Sequence, residues 1–446
     1  MLERRLDLSL TPTALFARLY EAYHTAFLLE SAEGPERLAR YSILGFDPVG
    51  EVAGNRGNLR ATGNLPAQPE GDTGSLRYLQ RLLGASRARA APGRYAGGLV
   101  GYLGYEYIDE IEDLPARKGQ SPFPDVQFGL FEDGIVYDRV TGHVTYFSHG
   151  ADRSRDLLAV AEEEPPSHAV RFGEPRRNVG ESGFVKMVEE AKEHILAGDI
   201  FQVVLSKRID VPYEGNLFGY YEALKRANPS PYMYFLKFGH RTIVGASPEM
   251  LARVENGRVE TFPIAGTRPL GRTPAETDHL AQEMLKDPKE RAEHAMLVDL
   301  ARNDLGRVSR YGSVQVSEYA KVERYSHVQH LVSRVEGQLA EQATSFDALR
   351  SVFPAGTLSG APKVEALKII RRLEPDPRGP YGGCVGYFSF NGNMDAAITI
   401  RTLTAVAGTA SVQTGAGIVH DSDPVKEYEE TEAKARGLLS VMERFP

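Results

Sequence analysis

Tryptophan is absent from the 446 residues, and cysteine occurs once, as Cys384. A single thiol excludes an intramolecular disulfide and any zinc site built from several cysteines. No apolar run reaches the roughly 18 residues of a membrane span, so no transmembrane helix and no membrane partner is expected. The N-terminus, MLERRLDLSLTPTALF, lacks a long apolar stretch ending in small residues and does not read as a secretory signal. Basic residues are not in excess either: the net charge is −8, which gives a nucleic-acid role no electrostatic footing. These absences point to a soluble cytoplasmic protein. Its 42% hydrophobic and 25% charged residues are ordinary for a globular chain.

Gly and Pro punctuate the chain. Arg56 to Gly74 is polar and turn-rich and reads as a long loop. Segment 163–180, rich in Pro, Gly and charge, reads as a connection between an N-terminal region, 1–165, and a C-terminal region, 175–446. In the latter, Ser182 is placed to cap a helix whose Phe184, Val188, Ala191 and Ile195 form one apolar stripe, ended by Gly198. IFQVVLSKRIDV follows as a strand, with Gln202, Val204 and Ser206 on one face. MLARVE and RVETFP flank Asn256-Gly257, a hairpin signal, and a second such turn falls at Asn391-Gly392. Further helices are expected at 276–303, 362–372 and 424–443. Strands joined by tight turns and interrupted by helices indicate an α+β fold, with antiparallel sheets covered by helices.

Two helices carry the same spacing of acids. Glu290 and Glu293 lie three apart, as do Glu427 and Glu430, so each pair shares a helix face. Lys434 stands one turn beyond Glu430. Asp423 and Pro424 are suited to the cap and first position of the last helix. A solvated face explains either pair alone. If both pairs face one cleft, their mutual repulsion calls for a cation. Magnesium accepts a few carboxylates and completes its shell with water and an anionic substrate. FPAGTLSGAPKVEAL sets a Gly-rich turn, Gly356 to Gly360, before a helix near Pro362, where free N–H groups suit an anion. Gly415 and Gly417 allow backbone to approach a ligand. Arg401, read as part of a central strand, is either a structural ion pair or a carboxylate clamp.

The strings IFQVVLSKR, NPSPYMYF, GASPEML, PIAGTRPLG, AEHAMLVDLARNDLGRV, FPAGTLSGAPKVEAL, GPYGGCVGYFSF and QTGAGIVHDSDPVKEYEETEAKA resemble the chorismate-binding family. That family comprises anthranilate, aminodeoxychorismate, isochorismate and salicylate synthases. The pattern is most similar to the component I type of anthranilate synthase, whose fold it implies. LLESAE and RYSILGFDP in the N-terminal region are similar to the same type. The resemblance implies that residues 175–446 bind chorismate, and that Glu290, Glu293, Glu427 and Glu430 hold Mg2+ against its ring carboxylate. It implies that Tyr381 and Arg401, with backbone from Gly415 and Gly417, take the enolpyruvyl carboxylate, and that Thr357 and His330 line the ring. Glu249 matches the general acid for loss of the C4 hydroxyl, His330 is the candidate aid to pyruvate elimination, and Lys434 balances charge. A separate glutamine amidotransferase subunit would supply ammonia, and tryptophan would inhibit at Leu29, Glu30, Ser31, Pro231, Tyr232 and Met233, in the 1–165 region and where it meets the rest.

Two positions separate the relatives. Gln202 stands where isochorismate-type members carry a lysine base, and an amide cannot activate water. Ala265 stands where aminodeoxychorismate synthases commonly carry a lysine; the aminodeoxychorismate-forming component is the alternative reading. Gly382-Gly383-Cys384-Val385-Gly386 fits the elbow of a glutaminase, but the sequence continues as strand and His420 is the only downstream histidine. Cys384 therefore reads as a small core residue.

Overall fold

The structure, a computed structural model, describes residues 1–32, 40–69, 74–86, 93–165, 167–325 and 328–445. Strand Thr25–Glu30 (TAFLLE) shows how its sheets bury both faces. Alternate residues point oppositely. Ala26 and Leu28 enter a core with Leu15, Phe16 and Leu19 of helix Pro12–Ala22. Phe27, between them, meets the Phe131 ring edge-on at 4.8 Å, in a second sheet. Each such fully buried side chain contributes about 1.5–3 kcal/mol.

The chain forms two compact units. The first comprises residues 1–248, 354–391 and 398–446; the second comprises 249–353 and 392–397. Segment 165–175 lies inside the first unit, so the region boundary read there does not coincide with a division between units. Among the described residues, the first unit contains a thirteen-stranded antiparallel sheet. Towards one end of that sheet Gln202–Gly215 pairs with Thr409–Ile418, in a register that sets Val204 opposite Gly417 and Ser206 opposite Gly415. Helices Pro12–Ala22, Ser154–Glu162, Phe218–Ala227 and Pro424–Met442 supply residues to the core on one face. Strands Gly50–Asn55, Asn58–Gly63, Val126–Phe131, Gly98–Leu103 and Cys384–Ser389 form a further antiparallel set in this unit.

The second unit is antiparallel strands with helices. Met250–Glu255 and Arg258–Thr261 form the hairpin expected at Asn256-Gly257, with Glu255 opposite Arg258. Val328–Gln338 pairs with Arg258–Thr261, Ile264–Pro269 and Gln315–Arg324. Two antiparallel sheets with covering helices make the fold α+β, as the sequence indicates.

Three local readings are corrected. The helix expected over 276–303 is two helices, Pro274–Lys286 and Pro288–Gly306. Pro288 has no N–H to continue the first, and Asp287 caps the second by accepting from Lys289 N at 2.9 Å and Glu290 N at 3.4 Å. The loop expected over 56–74 contains strand Asn58–Gly63, turned back by Arg56 and Gly57 at φ 50° and 74°; residues 70–73 of it lie outside the described residues. The helix expected to be capped by Ser182 starts at Glu181, with Gly180 as the cap.

Candidate active site

The sequence-derived site residues fall in both units. In the first, the two-strand register sets glycines opposite Val204 and Ser206. A methyl placed on Gly415 would stand 2.7 Å from the Leu205 carbonyl oxygen and 3.0 Å from the Tyr381 hydroxyl. A methyl on Gly417 would stand 2.9 Å from Gln202 Nε2. Both positions thus bring backbone against the functional ends of Tyr381 and Gln202, an approach that glycine allows without displacing either. Tyr381 is 7% exposed, and burial raises its pKa well above the usual phenol range. Its hydroxyl stays protonated and able to donate.

Helix Pro424–Met442 brings the charges. Asp423 accepts from Val425 N and Lys426 N at 3.1 and 3.0 Å, as its sequence predicts. Lys434 Nζ donates to the Gly415 carbonyl at 2.9 Å and pairs with Glu430 at 2.7 Å. Below this face Glu432 pairs with Arg177 at 2.7 Å and with Lys207, whose side chain is fully buried and whose ammonium lies 4.2 Å from the Tyr428 ring. Thr357 sits in a short turn, Gly356–Leu358, and the carbonyl of Ser359, which ends that turn, accepts from Val204 N at 2.9 Å. Gln202, Thr357, Tyr381, Gly415, Gly417, Glu430 and Lys434 are therefore on mutually bonded elements.

Arg401 is not in a strand. It occupies an exposed bend at φ 49°, its carbonyl accepting from Ala246 N at 3.1 Å. The backbone of Gly382 and Gly383 bonds Thr399 at 2.9 Å in both directions, which links the Tyr381 loop to the segment of Arg401. A cavity of about 320 Å³ adjoins Tyr381. Arg208, half-buried in its lining, already meets Asp210 at 2.9 Å and Asp376 at 3.5 Å, which leaves little for an anionic ligand there.

In the second unit, Glu290 and Glu293 lie in the first two turns of helix Pro288–Gly306. Arg268, from strand Ile264–Pro269, donates to Glu290 at 2.8 Å. Gly266 lies beneath: a methyl on it would be 3.1 Å from Glu290 Oε2. The Gly266 carbonyl accepts from His330 Nδ1 at 2.8 Å, which places a proton on Nδ1. Glu249 opens this unit, next to strand Met250–Glu255. Arg268 was not singled out from the sequence, because nothing in PIAGTRPLG separates it from a surface arginine.

The four glutamates offer oxygen-only, partly exposed donors, which suit a hard divalent cation. Arg268 neutralises Glu290, and Lys434 neutralises Glu430. Among the described residues, no group of three or more His, Cys, Asp or Glu is placed to hold a metal ion.

The residues read as regulatory do converge. Thr25–Glu30 and Tyr232–Phe238 pair antiparallel, with Glu30 opposite Met233 and Leu29 opposite Tyr234. Ala32 N bonds the Ser230 carbonyl at 3.0 Å. Glu30, though, is buried and its carboxylate accepts from Lys225 at 2.8 and 2.9 Å and from Thr13 at 3.2 Å. Cys384 is buried on strand Cys384–Ser389, and burial pushes its thiol up to about 12. That is a core residue and not a nucleophile. No helix among the described residues is long and apolar enough to cross a membrane.

Comparison with known proteins adds to this geometry. The profile described as chorismate binding enzyme matches residues 24–440. The chain is 46% identical over 432 residues to "Anthranilate synthase component 1" of Methanothermobacter marburgensis, covering 97% of this chain and 93% of the relative. It is 45% identical over 462 residues to the protein of that name from Acetivibrio thermocellus, covering 97% and 93%. The crystal structure of anthranilate synthase component I from Streptococcus pneumoniae superposes with a TM-score of 0.81 at 37% identity, covering 91% of this chain and 93% of that one.

Proposed function

The chain belongs to the chorismate-binding enzyme family, and on that premise we propose that it converts chorismate and ammonia into anthranilate and pyruvate. It is an enzyme acting on chorismate. The observation that carries the finer reading is the grouping of Gln202, Tyr381, Gly415, Gly417 and Lys434 on neighbouring elements.

The roles follow from the groups. Chorismate carries two carboxylates. The protonated Tyr381 hydroxyl and the opened backbone at Gly415 and Gly417 suit the enolpyruvyl carboxylate, with Arg401 as counter-charge. Gln202 offers an amide and no base, which leaves water without activation and favours ammonia as nucleophile. Hydroxide is a poor leaving group, so C4 needs an acid, the role read for Glu249. His330, its Nδ1 donating to Gly266, is the residue read as aiding pyruvate elimination. Glu290, Glu293, Glu427 and Glu430 would hold Mg2+, which when bound draws electron density from the ring through its carboxylate.

Ammonia would come from a separate glutamine amidotransferase subunit. The relatives' designation as component 1 and the inert position of Cys384 support this. Tryptophan would inhibit where Leu29, Glu30 and Ser31 meet Pro231, Tyr232 and Met233. Because Lys225 already holds Glu30, backbone carbonyls at these strand ends are the better partner for the amino acid's ammonium.

The test is an assay of the purified chain with chorismate, magnesium and ammonium, read by anthranilate fluorescence and product identification. Anthranilate is expected with ammonium and none with glutamine. Aminodeoxychorismate as product, or glutamine-dependent activity lost in Cys384→Ser, overturns the reading. For regulation, Ser31→Phe should relieve inhibition by tryptophan; a wild-type rate unchanged at millimolar tryptophan removes that site.

A further inference from the structure

Arg378 is 4% exposed, and every arm of its guanidinium is engaged. Nε and NH2 donate to Glu374 at 2.9 and 2.6 Å. NH1 donates to the Leu358 carbonyl at 2.7 Å, and NH2 also to the Val204 carbonyl at 2.8 Å. The carboxylate of Glu374 in turn accepts from Ser206 N and Oγ at 2.8 and 2.9 Å, and Gln413 Nε2 donates to Ser206 Oγ at 2.8 Å. The guanidinium carbon lies 4.3 Å from the Tyr105 ring and 5.8 Å from that of Tyr381.

These partners are not scattered at random. Leu358 follows Thr357. Val204 is two residues from Gln202, on the same strand face. Tyr381 is three residues beyond Arg378. Ser206 and Gln413 flank Gly415, which faces Ser206 across the strand pair. Arg378, directly and through Glu374 and Ser206, thus joins the four segments that carry the substrate-binding residues read for the first unit. Its own backbone is pinned as well: Glu106 accepts from Arg378 N at 2.7 Å and Gly379 N at 2.8 Å, and Tyr105 N donates to the Gly379 carbonyl at 2.7 Å. A buried ion pair is a poor source of stability compared with apolar residues of the same volume. A fork that fixes two backbone carbonyls and a carboxylate at once supplies what such residues cannot, a single geometry.

We propose that Arg378, held by Glu374 and Glu106, is the positioning residue of the chorismate pocket, setting Gln202, Thr357, Tyr381 and Gly415 in register with one another. This rests on the reading of those four as substrate-binding. Arg378 touches no reacting atom; it acts through the groups it holds.

Arg378→Lys keeps the charge opposite Glu374 and loses the fork to Val204 and Leu358. With folding verified by near-ultraviolet circular dichroism, the KM for chorismate should rise on the order of tenfold, while kcat stays within about threefold and the KM for ammonium is unchanged. The Kd for chorismate, measured calorimetrically with magnesium and without ammonium, should rise by the same factor. A folded Arg378→Lys with wild-type KM and Kd, or with its loss confined to kcat, overturns the proposal. If Arg378→Lys does not fold, Glu106→Gln decides by the same two readouts, because it loosens only the loop of Arg378 and Gly379. Wild-type protein that binds chorismate without making anthranilate refutes the functional reading, and the Kd comparison still judges Arg378.

Discussion

Gly415 and Gly417 lie two residues apart on one strand face, yet a methyl group should affect them differently. At Gly415 the methyl meets the Leu205 carbonyl at 2.7 Å and the Tyr381 hydroxyl at 3.0 Å. The first neighbour is backbone in the middle of a ten-residue strand pairing and cannot swing aside. Either the pair opens by several tenths of an ångström or the methyl distorts its own strand, and Tyr381 is displaced in both cases. Overpacking of this kind costs about 1–3 kcal/mol. The lower unfolded-state entropy of alanine offsets about 0.4–1 kcal/mol, since Gly415 does not sit at positive φ. Gly415→Ala should therefore lose up to about 2.6 kcal/mol of stability. At Gly417 the methyl meets only the amide of Gln202 at 2.9 Å, the far end of a flexible side chain. Gly417→Ala should keep wild-type stability to within about 0.5 kcal/mol. Urea denaturation followed by circular dichroism measures the first quantity, and the KM for chorismate measures the displacement of Tyr381. The reasoning fails if Gly415→Ala is as stable as wild type with an unchanged KM, or if Gly417→Ala proves the less stable of the two.

Glu432→Gln strands the buried ammonium of Lys207 and should cost about 3–5 kcal/mol, seen as a lower thermal midpoint. Adding Lys207→Met should recover most of that loss; failure to recover means the pair is not the source. Glu290→Gln and Glu430→Gln should each leave the fold intact and raise the magnesium concentration needed for half-maximal anthranilate formation, and an unchanged magnesium titration removes that residue from the metal's shell. Burial raises the Glu106 carboxyl from 4.5 to about 7, with Asp125 adding to the rise and Arg117 and the Arg378 and Gly379 amides opposing it. The native state thus holds a proton that the unfolded chain releases. This contribution is fully present below about pH 4.5 and is lost as pH rises through about 7, roughly 3 kcal/mol at most. Stability measured by urea denaturation from pH 5 to 8 should therefore show a falling component that Glu106→Gln removes; parallel curves for the two proteins contradict it.

Local features were legible in the sequence because they depend on neighbours in the chain. The Asp423-Pro424 cap, the Asn256-Gly257 hairpin, the strand from Gln202 and the i,i+3 faces of both glutamate pairs follow from backbone periodicity and capping chemistry. The same chemistry was present at Asp287-Pro288, where a capped helix start was taken for the interior of a longer helix, and at Arg56-Gly57, where a hairpin was taken for a loop. Arg401 at positive φ left no mark, since arginine has no preference for that conformation. The rest was decided by partners far along the chain. Arg378 and Glu106 are 272 residues apart, and Lys207 and Glu432 are 225 apart. No periodicity distinguishes a lysine or arginine that will be buried from one that will be solvated. The difference lies in whether tertiary folding delivers a carboxylate and carbonyl oxygens to the same place, and in these two cases it does so by closing strands and helices over groups that, read locally, belong at the surface.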